Sequence, residues 1–181
     1  MQPWSRCSRD VTARPASSRR RRWQSRSLRR WRHWSARVPE NDRLQPKVAR
    51  AAAASFLQLG GDREAAEILA KSLDKNWDSG LTLLYAECRP ADSTRQLEIA
   101  ERWLVRYNQD ASLLYALGRL CERQQLWGKA QTYLEASLAL DNHWRAHVAL
   151  GEMLAKLDRH TEADAHFAAA LRLALAELER R

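Results

Sequence analysis

Few residues of this 181-residue chain could do chemistry. His143 and His147 stand four apart, so on a helix they share a face that could hold a metal. No Cys or carboxylate joins them at ligand spacing, and ordinary helix packing is the simpler use of both. His160 and His166 are six apart and do not share a face. The three cysteines, Cys7, Cys88 and Cys121, are odd in number and far apart. That argues against a disulfide framework or a zinc ribbon and fits a reducing compartment. Cys88 and Cys121 read as small buried hydrophobes. There is no Gly-rich phosphate loop, no GxSxG and no HExxH. No general acid–base pair can be named. The expectation is a protein that is not an enzyme and that carries no metal and no cofactor.

The elements that hold these residues are helical. From about Pro39 onward, apolar residues recur at spacings of three and four. The pattern predicts helices near 46–59, 63–75, 79–88, 94–107, 111–124, 128–140, 143–157 and 161–179. Stop and start residues separate them. Gly60-Gly61-Asp62 ends one helix and caps the next, Asp92 or Ser93 can cap after Pro90, Asp110 precedes a helix, and Asp141-Asn142 precede another.

Eight helices make four pairs, and the last two pairs are copies. Leu117-Gly118, Ala130, Leu134 and Ser137 align with Leu150-Gly151, Ala163, Phe167 and Ala170, all at one constant offset. A small residue mid-way along a first helix, with an Ala twelve positions later in the second, is the tetratricopeptide pattern. Antiparallel helices joined by a short turn approach closely only where side chains are small. A large side chain at Gly118 or Ala130 would wedge the pair apart, while Leu134 and Phe167 fill the gap to a neighbour. Ala53, Ala65 and Leu69 fit a first copy. Leu84, Ala100 and Leu104 fit a second, whose turn from Cys88 to Ser93 is irregular. A plain helical bundle is the competing arrangement. In Leu126-Trp127-Gly128-Lys129-Ala130, Trp127 is expected to pack over a turn, with Gly128 making room; an exposed aromatic anchor is the alternative.

The fold class is therefore all-α: a right-handed tetratricopeptide-like superhelix of about four antiparallel pairs over 38–181. Stacking buries what one pair cannot, and first helices line a concave groove. The residues predicted to face it are Lys47, Arg50, Ser112, Tyr115, Arg119, Glu122, Arg145, Glu152 and Lys156. This mixed surface with a basic bias could receive an acidic helix, an extended peptide or a chain terminus. A solvated charged face is the bland alternative.

Residues 1–37 are a different kind of sequence. They hold 12 Arg, 7 Ser and 4 Trp against one acid, Asp10, so the whole-chain charge of +9 comes entirely from them. A disordered basic tail is the leading reading. G+C-rich DNA read out of frame, nucleic-acid binding and an Arg/Ser-rich targeting peptide compete with it. No nucleic-acid partner is expected for the helical part. No run of 18 apolar residues exists, so no membrane span is expected in this chain.

Several segments together suggest a family. Gln96-Leu97-Glu98, Ala100-Glu101-Arg102-Trp103-Leu104, Leu113 to Cys121, Gln125-Leu126-Trp127-Gly128-Lys129-Ala130 and Tyr133 to Leu138 closely resemble the C-terminal half of HemY. HemY is the haem-biosynthesis-associated tetratricopeptide protein of proteobacteria. Val38-Pro39-Glu40, Gln45-Pro46 and Gly60-Gly61 resemble its more N-terminal part. The resemblance covers roughly 34–175. It implies an accessory protein unrelated to the flavin-dependent oxidase of the same name, with haem-biosynthesis enzymes as partners. It also implies a bacterial family held at the inner membrane by helices that this chain, soluble as given, does not show. The runner-up functions are a tetrapyrrole carrier using His143 or His147 as axial ligand, and nucleic-acid binding through the tail.

Overall fold

The computed structural model describes residues 36–180, together with Arg29 and His33. The expected tail, 1–37, otherwise lies outside the described residues. Nine helices and no strand occur among the described residues: α1 (Glu40–Arg43), α2 (Pro46–Gln58), α3 (Asp62–Lys75), α4 (Ser79–Glu87), α5 (Ser93–Leu104), α6 (Ala111–Arg123), α7 (Trp127–Leu140), α8 (Trp144–Lys156) and α9 (His160–Glu179). Eight of them match the predicted set. The single-turn α1 was not anticipated. It is tied down by its C-terminal neighbour: the Leu44 carbonyl accepts from Ser72 Oγ at 2.9 Å and from Asn76 Nδ2 at 3.3 Å.

Local chemistry sets the boundaries. Pro46 opens α2, where its missing N–H costs no hydrogen bond. At the far end of α2, Gly60 takes a φ of 74°. The Gly61 amide then returns to the Phe56 carbonyl at 2.8 Å, closing the helix end. Asp62 is the first residue of α3, not its cap. Its carboxylate accepts instead from the Arg89 amide of the irregular turn, at 2.7 Å. Asp78, Asp92 and Asp110 cap α4, α5 and α6, each accepting a backbone N–H. The predicted helix to residue 107 stops at Leu104. The chain leaves there so that Tyr107 can stack on Trp77, with ring centroids 3.8 Å apart. Asp141 and Asn142 precede α8, as expected, but the cap is the next residue. His143 caps α8, its Nδ1 accepting from the Ala146 amide at 3.2 Å.

The core runs through the interior of the stack. Ala53, Ala65, Ala100, Ala130, Leu134 and Ala163 are all buried, as the repeat requires. A Cβ built on Gly118 would lie 2.6 Å from Leu134 Cγ, and one on Gly151 would lie 2.6 Å from Phe167 Cε1. Both glycines are therefore points of close approach. Gly128 is not: a Cβ there meets no other element within 4 Å. Trp127 itself is half-buried against the core. Phe167 covers Gly151 but remains 38% exposed, because no helix lies beyond α9 among the described residues.

One pair departs from the others. The backbones of α4 and α5 stand apart, although both pack on α6. Tyr85, buried, occupies on α4 the place that Gly118 holds one repeat later. Its phenol donates to the Gln96 carbonyl at 3.3 Å, and Gln96 Nε2 returns to the Tyr85 carbonyl at 2.8 Å. The ring meets Trp103 edge-on at 5.0 Å. Trp103 in turn donates to Asp74 at 2.6 Å, and Trp77 to Asp110 at 2.9 Å. A polar–aromatic layer replaces the small-residue contact.

Candidate functional site

The first helices α2, α4, α6 and α8 bring their inner faces to one concave groove of about 860 Å³. Of the predicted residues, Arg50, Tyr115, Arg119, Glu122, Arg145, Glu152 and Lys156 line it. Lys47 is exposed: it shares the face of Arg50 but sits in the first turn of α2, short of the groove lining. Ser112 lies in another depression, with Ser79 and Tyr107.

Sequence reasoning missed Arg89 and Arg123, which also line the groove. Arg89 sits in the irregular turn, where no periodicity points. Arg123 ends α6 and reaches across to the end of α4. Its guanidinium donates to the Cys88 carbonyl at 2.6 Å and the Ala86 carbonyl at 2.5 Å. These are carbonyls that α4 cannot satisfy itself. A cation at a helix C-terminus was the available signal. Burial lowers the Arg123 pKa, and the charges of Arg89 and Arg119 lower it further.

A charge relay links successive first helices. The Glu122 side chain is 4% exposed and accepts from Lys156 Nζ at 2.6 Å. Its Oε2 lies 3.1 Å from Arg119 Nη1, an ion pair without hydrogen-bond alignment. The same Nη1 bonds Glu152 Oε2 at 2.7 Å. Burial works to lower the Arg119 pKa, but the Glu152 hydrogen bond and the Glu122 charge outweigh it and leave it raised. Burial pushes the Tyr115 phenol up.

Six cations (Arg50, Arg89, Arg119, Arg123, Arg145, Lys156) face three carboxylates (Glu87, Glu122, Glu152), so the groove is net positive. Arg119 and Lys156 are already paired inside it, and Arg50 lies 3.4 Å from Asp78 at its edge. Arg89 and Arg145 have no carboxylate partner among the described residues. Arg145 instead lies over the Trp144 ring, 4.7 Å from its centroid. Trp144 is held in place by donating to Glu177 at 3.0 Å.

The histidines are arranged differently from the sequence pattern. His143 and His147 do not face each other across one helix turn. Both His143 nitrogens are engaged, Nδ1 in the cap and Nε2 at 3.3 Å from Ser137 Oγ. His147 meets His166 of α9, with Nδ1 to Nδ1 at 2.9 Å, and its Nε2 lies 2.9 Å from Asn142 Oδ1. All four ring nitrogens of His143 and His147 are thus in hydrogen-bond contact within the protein. No group of three or more metal-ligating side chains occurs among the described residues. Cys88 and Cys121 are buried, as expected, and burial pushes their thiols up to about 12 and about 11. They are poor nucleophiles at neutral pH.

This architecture is that of a tetratricopeptide-like helical superhelix. Solved structures of MamA share it. A crystal structure of MamA superposes with a TM-score of 0.56 at 15% identity, over 90% of this chain and 95% of that one. MamA residues 41 to the end from Desulfovibrio magneticus RS-1 gives 0.56 at 19% identity, over 88% and 90%. A MamA RS-1 double mutant gives 0.55 at 19% identity, over 89% and 90%. At these identities the likeness shows the fold alone. No family model and no curated protein matches the chain. Among the described residues no helix is long and apolar enough to cross a membrane.

Proposed function

We propose that this protein is a non-catalytic scaffold whose groove receives an acidic segment of a partner protein. The observation that carries this reading is the excess of cations in the groove, with Arg89 and Arg145 free of carboxylate partners there. A solvated surface spreads such charges. Here they converge on a concavity with low-dielectric walls, where they focus field and raise the local concentration of an anionic ligand. The half-buried Tyr115 and Trp144 add aromatic surface at the same place. The similarity to MamA supports a superhelix able to present such a face.

The resemblance of Leu113 to Cys121 and of Gln125 to Ala130 to HemY supports a finer reading. In it the partners are enzymes of late haem synthesis, held near one another at raised effective concentration.

Fluorescence anisotropy with a labelled Glu/Asp-rich peptide tests the coarse reading. Binding should weaken with salt and drop by at least about tenfold in the Arg89→Glu, Arg145→Glu double variant. Equal binding of a Lys-rich peptide, or no loss in the double variant, contradicts it. Co-purification of a haem-synthesis enzyme that disappears with the double variant supports the finer reading; recovery of none contradicts it.

A further inference from the structure

We propose that Glu152 is a built-in counter-ion that an acidic partner must displace from Arg119, which makes it a specificity-determining residue of the groove. In the scaffold reading, on which this role rests, Arg119 is one of the cations that an acidic segment meets. Its Nη1 donates to Glu152 Oε2 at 2.7 Å. That bond crosses from α6 to α8, between residues that both line the groove. A carboxylate on a guanidinium is also what an acidic segment would place there. Glu152 thus holds, from within the chain, the position that a partner's Asp or Glu would take.

Two carboxylates meet Arg119, and only one of them is free to leave. The Glu122 side chain is 4% exposed and is held by Lys156 Nζ at 2.6 Å as well as by the Arg119 charge at 3.1 Å. The Glu152 side chain is 44% exposed, and Arg119 is its one bonded partner among the described residues. It can swing into water without uncovering a buried charge, and an ion pair so exposed is worth little. Among the described residues, carboxylates reach Arg119 through Nη1 alone. A partner carboxylate that takes Nη1 and Nη2 together replaces a one-point contact by a two-point one, which is the stronger arrangement.

Glu87 supplies the contrast. It is an exposed carboxylate of the same groove, and no bond joins it to Arg119. The charges of Arg119, Arg145, Glu152 and Glu87 all reach the Tyr115 phenol, so both carboxylates act on one region. Either one repels an incoming acid through the field of the groove. Glu152 does so and also occupies a donor that the acid needs. A segment with little to gain from the exchange is turned away, and one that pairs fully with Arg119 is admitted.

Fluorescence anisotropy of the full chain with the labelled Glu/Asp-rich peptide tests this. Glu152→Gln should tighten binding by about tenfold, and Glu87→Gln by about twofold, the part due to groove charge alone. Glu152→Asp keeps the charge but draws the carboxylate back from Arg119, and should tighten binding by about fivefold. In an Arg119→Gln background the gain from Glu152→Gln should fall to that from Glu87→Gln. Circular dichroism confirms that each variant is folded, and the Glu152→Asp result stands whether or not Arg119→Gln folds. A gain from Glu152→Gln no larger than that from Glu87→Gln, no tightening by Glu152→Asp, or a full gain without Arg119 overturns the proposal. The scaffold reading survives that result as long as the unaltered chain binds the peptide. Absence of binding by both the unaltered chain and Glu152→Gln overturns the two together.

Discussion

The pairs α4/α5 and α6/α7 lie side by side in one chain, yet they close in opposite ways. In α6/α7 a glycine sits at the crossing, and Leu134 fills the space a Cβ would need. In α4/α5 a buried tyrosine holds the same place and the backbones stand apart. The difference shows what the small residue does. It is not a helix signal, since glycine costs a helix up to about 1 kcal/mol. It licenses contact between backbones, and where it is missing the gap must be filled. Tyr85, Gln96 and Trp103 fill it, each with its polar atoms paired into the surrounding layer except Gln96 Oε1. The consequence reaches the groove. The opened pair leaves the end of α4 for Arg123 to satisfy and carries Arg89 to the groove edge.

The largest effect should come from emptying the open pair. Tyr85→Ala should cost about 4 kcal/mol in urea denaturation, since a buried aromatic is lost and the gap has no small-residue contact to collapse onto. An effect below about 1 kcal/mol would mean that the pair closes without it. Next is the contrast between equivalent positions in the closed pairs. Leu134→Ala, at a fully buried position, should cost about 3 kcal/mol. Phe167→Ala, at a position left 38% exposed, should cost about half as much. Equal costs would show that an outer neighbour does not matter. The smallest effect is acid sensitivity of the α8 cap. Burial lowers the His143 pKa below its ordinary value, with Arg145 adding to the shift and Asp141 opposing it. The neutral ring is therefore the folded form. Its contribution is complete above about pH 6.5 and is lost as pH falls through the lower folded value. His147, lowered by burial and by His166, acts in the same direction. Melts at about pH 7.5 and about pH 5.5 should differ by no more than the worth of the cap, about 1 kcal/mol. His143→Asn keeps a capping oxygen and should flatten that dependence; an unchanged dependence would assign it elsewhere.

Much of this was legible in the residues. The constant offset between the last two copies defined the two closed pairs, because glycine opposite leucine or phenylalanine has a single geometric use. Six groove residues followed from counting outward from those glycines, and Arg50 from the equivalent Ala53. Lys47 shares the face of Arg50 but lies in the first turn of α2, and a repeat offset says nothing about where the groove ends along a helix. Arg89 and Arg123 were invisible because a turn and a helix end have no period to count. The pairing of His147 with His166 joins two helices, and sequence spacing reports faces only within one helix. Tyr85 could have been found: it stands one repeat before Gly118, and a large side chain there was already the condition for an open pair.

Chemical denaturation of Gly118→Leu beside Gly128→Leu tests most directly whether close approach holds the closed pair. A Cβ at position 118 meets Leu134 at 2.6 Å, while one at position 128 meets nothing. The account predicts that Gly118→Leu loses about 3 kcal/mol and that Gly128→Leu loses nothing. Equal stability of the two variants would contradict it.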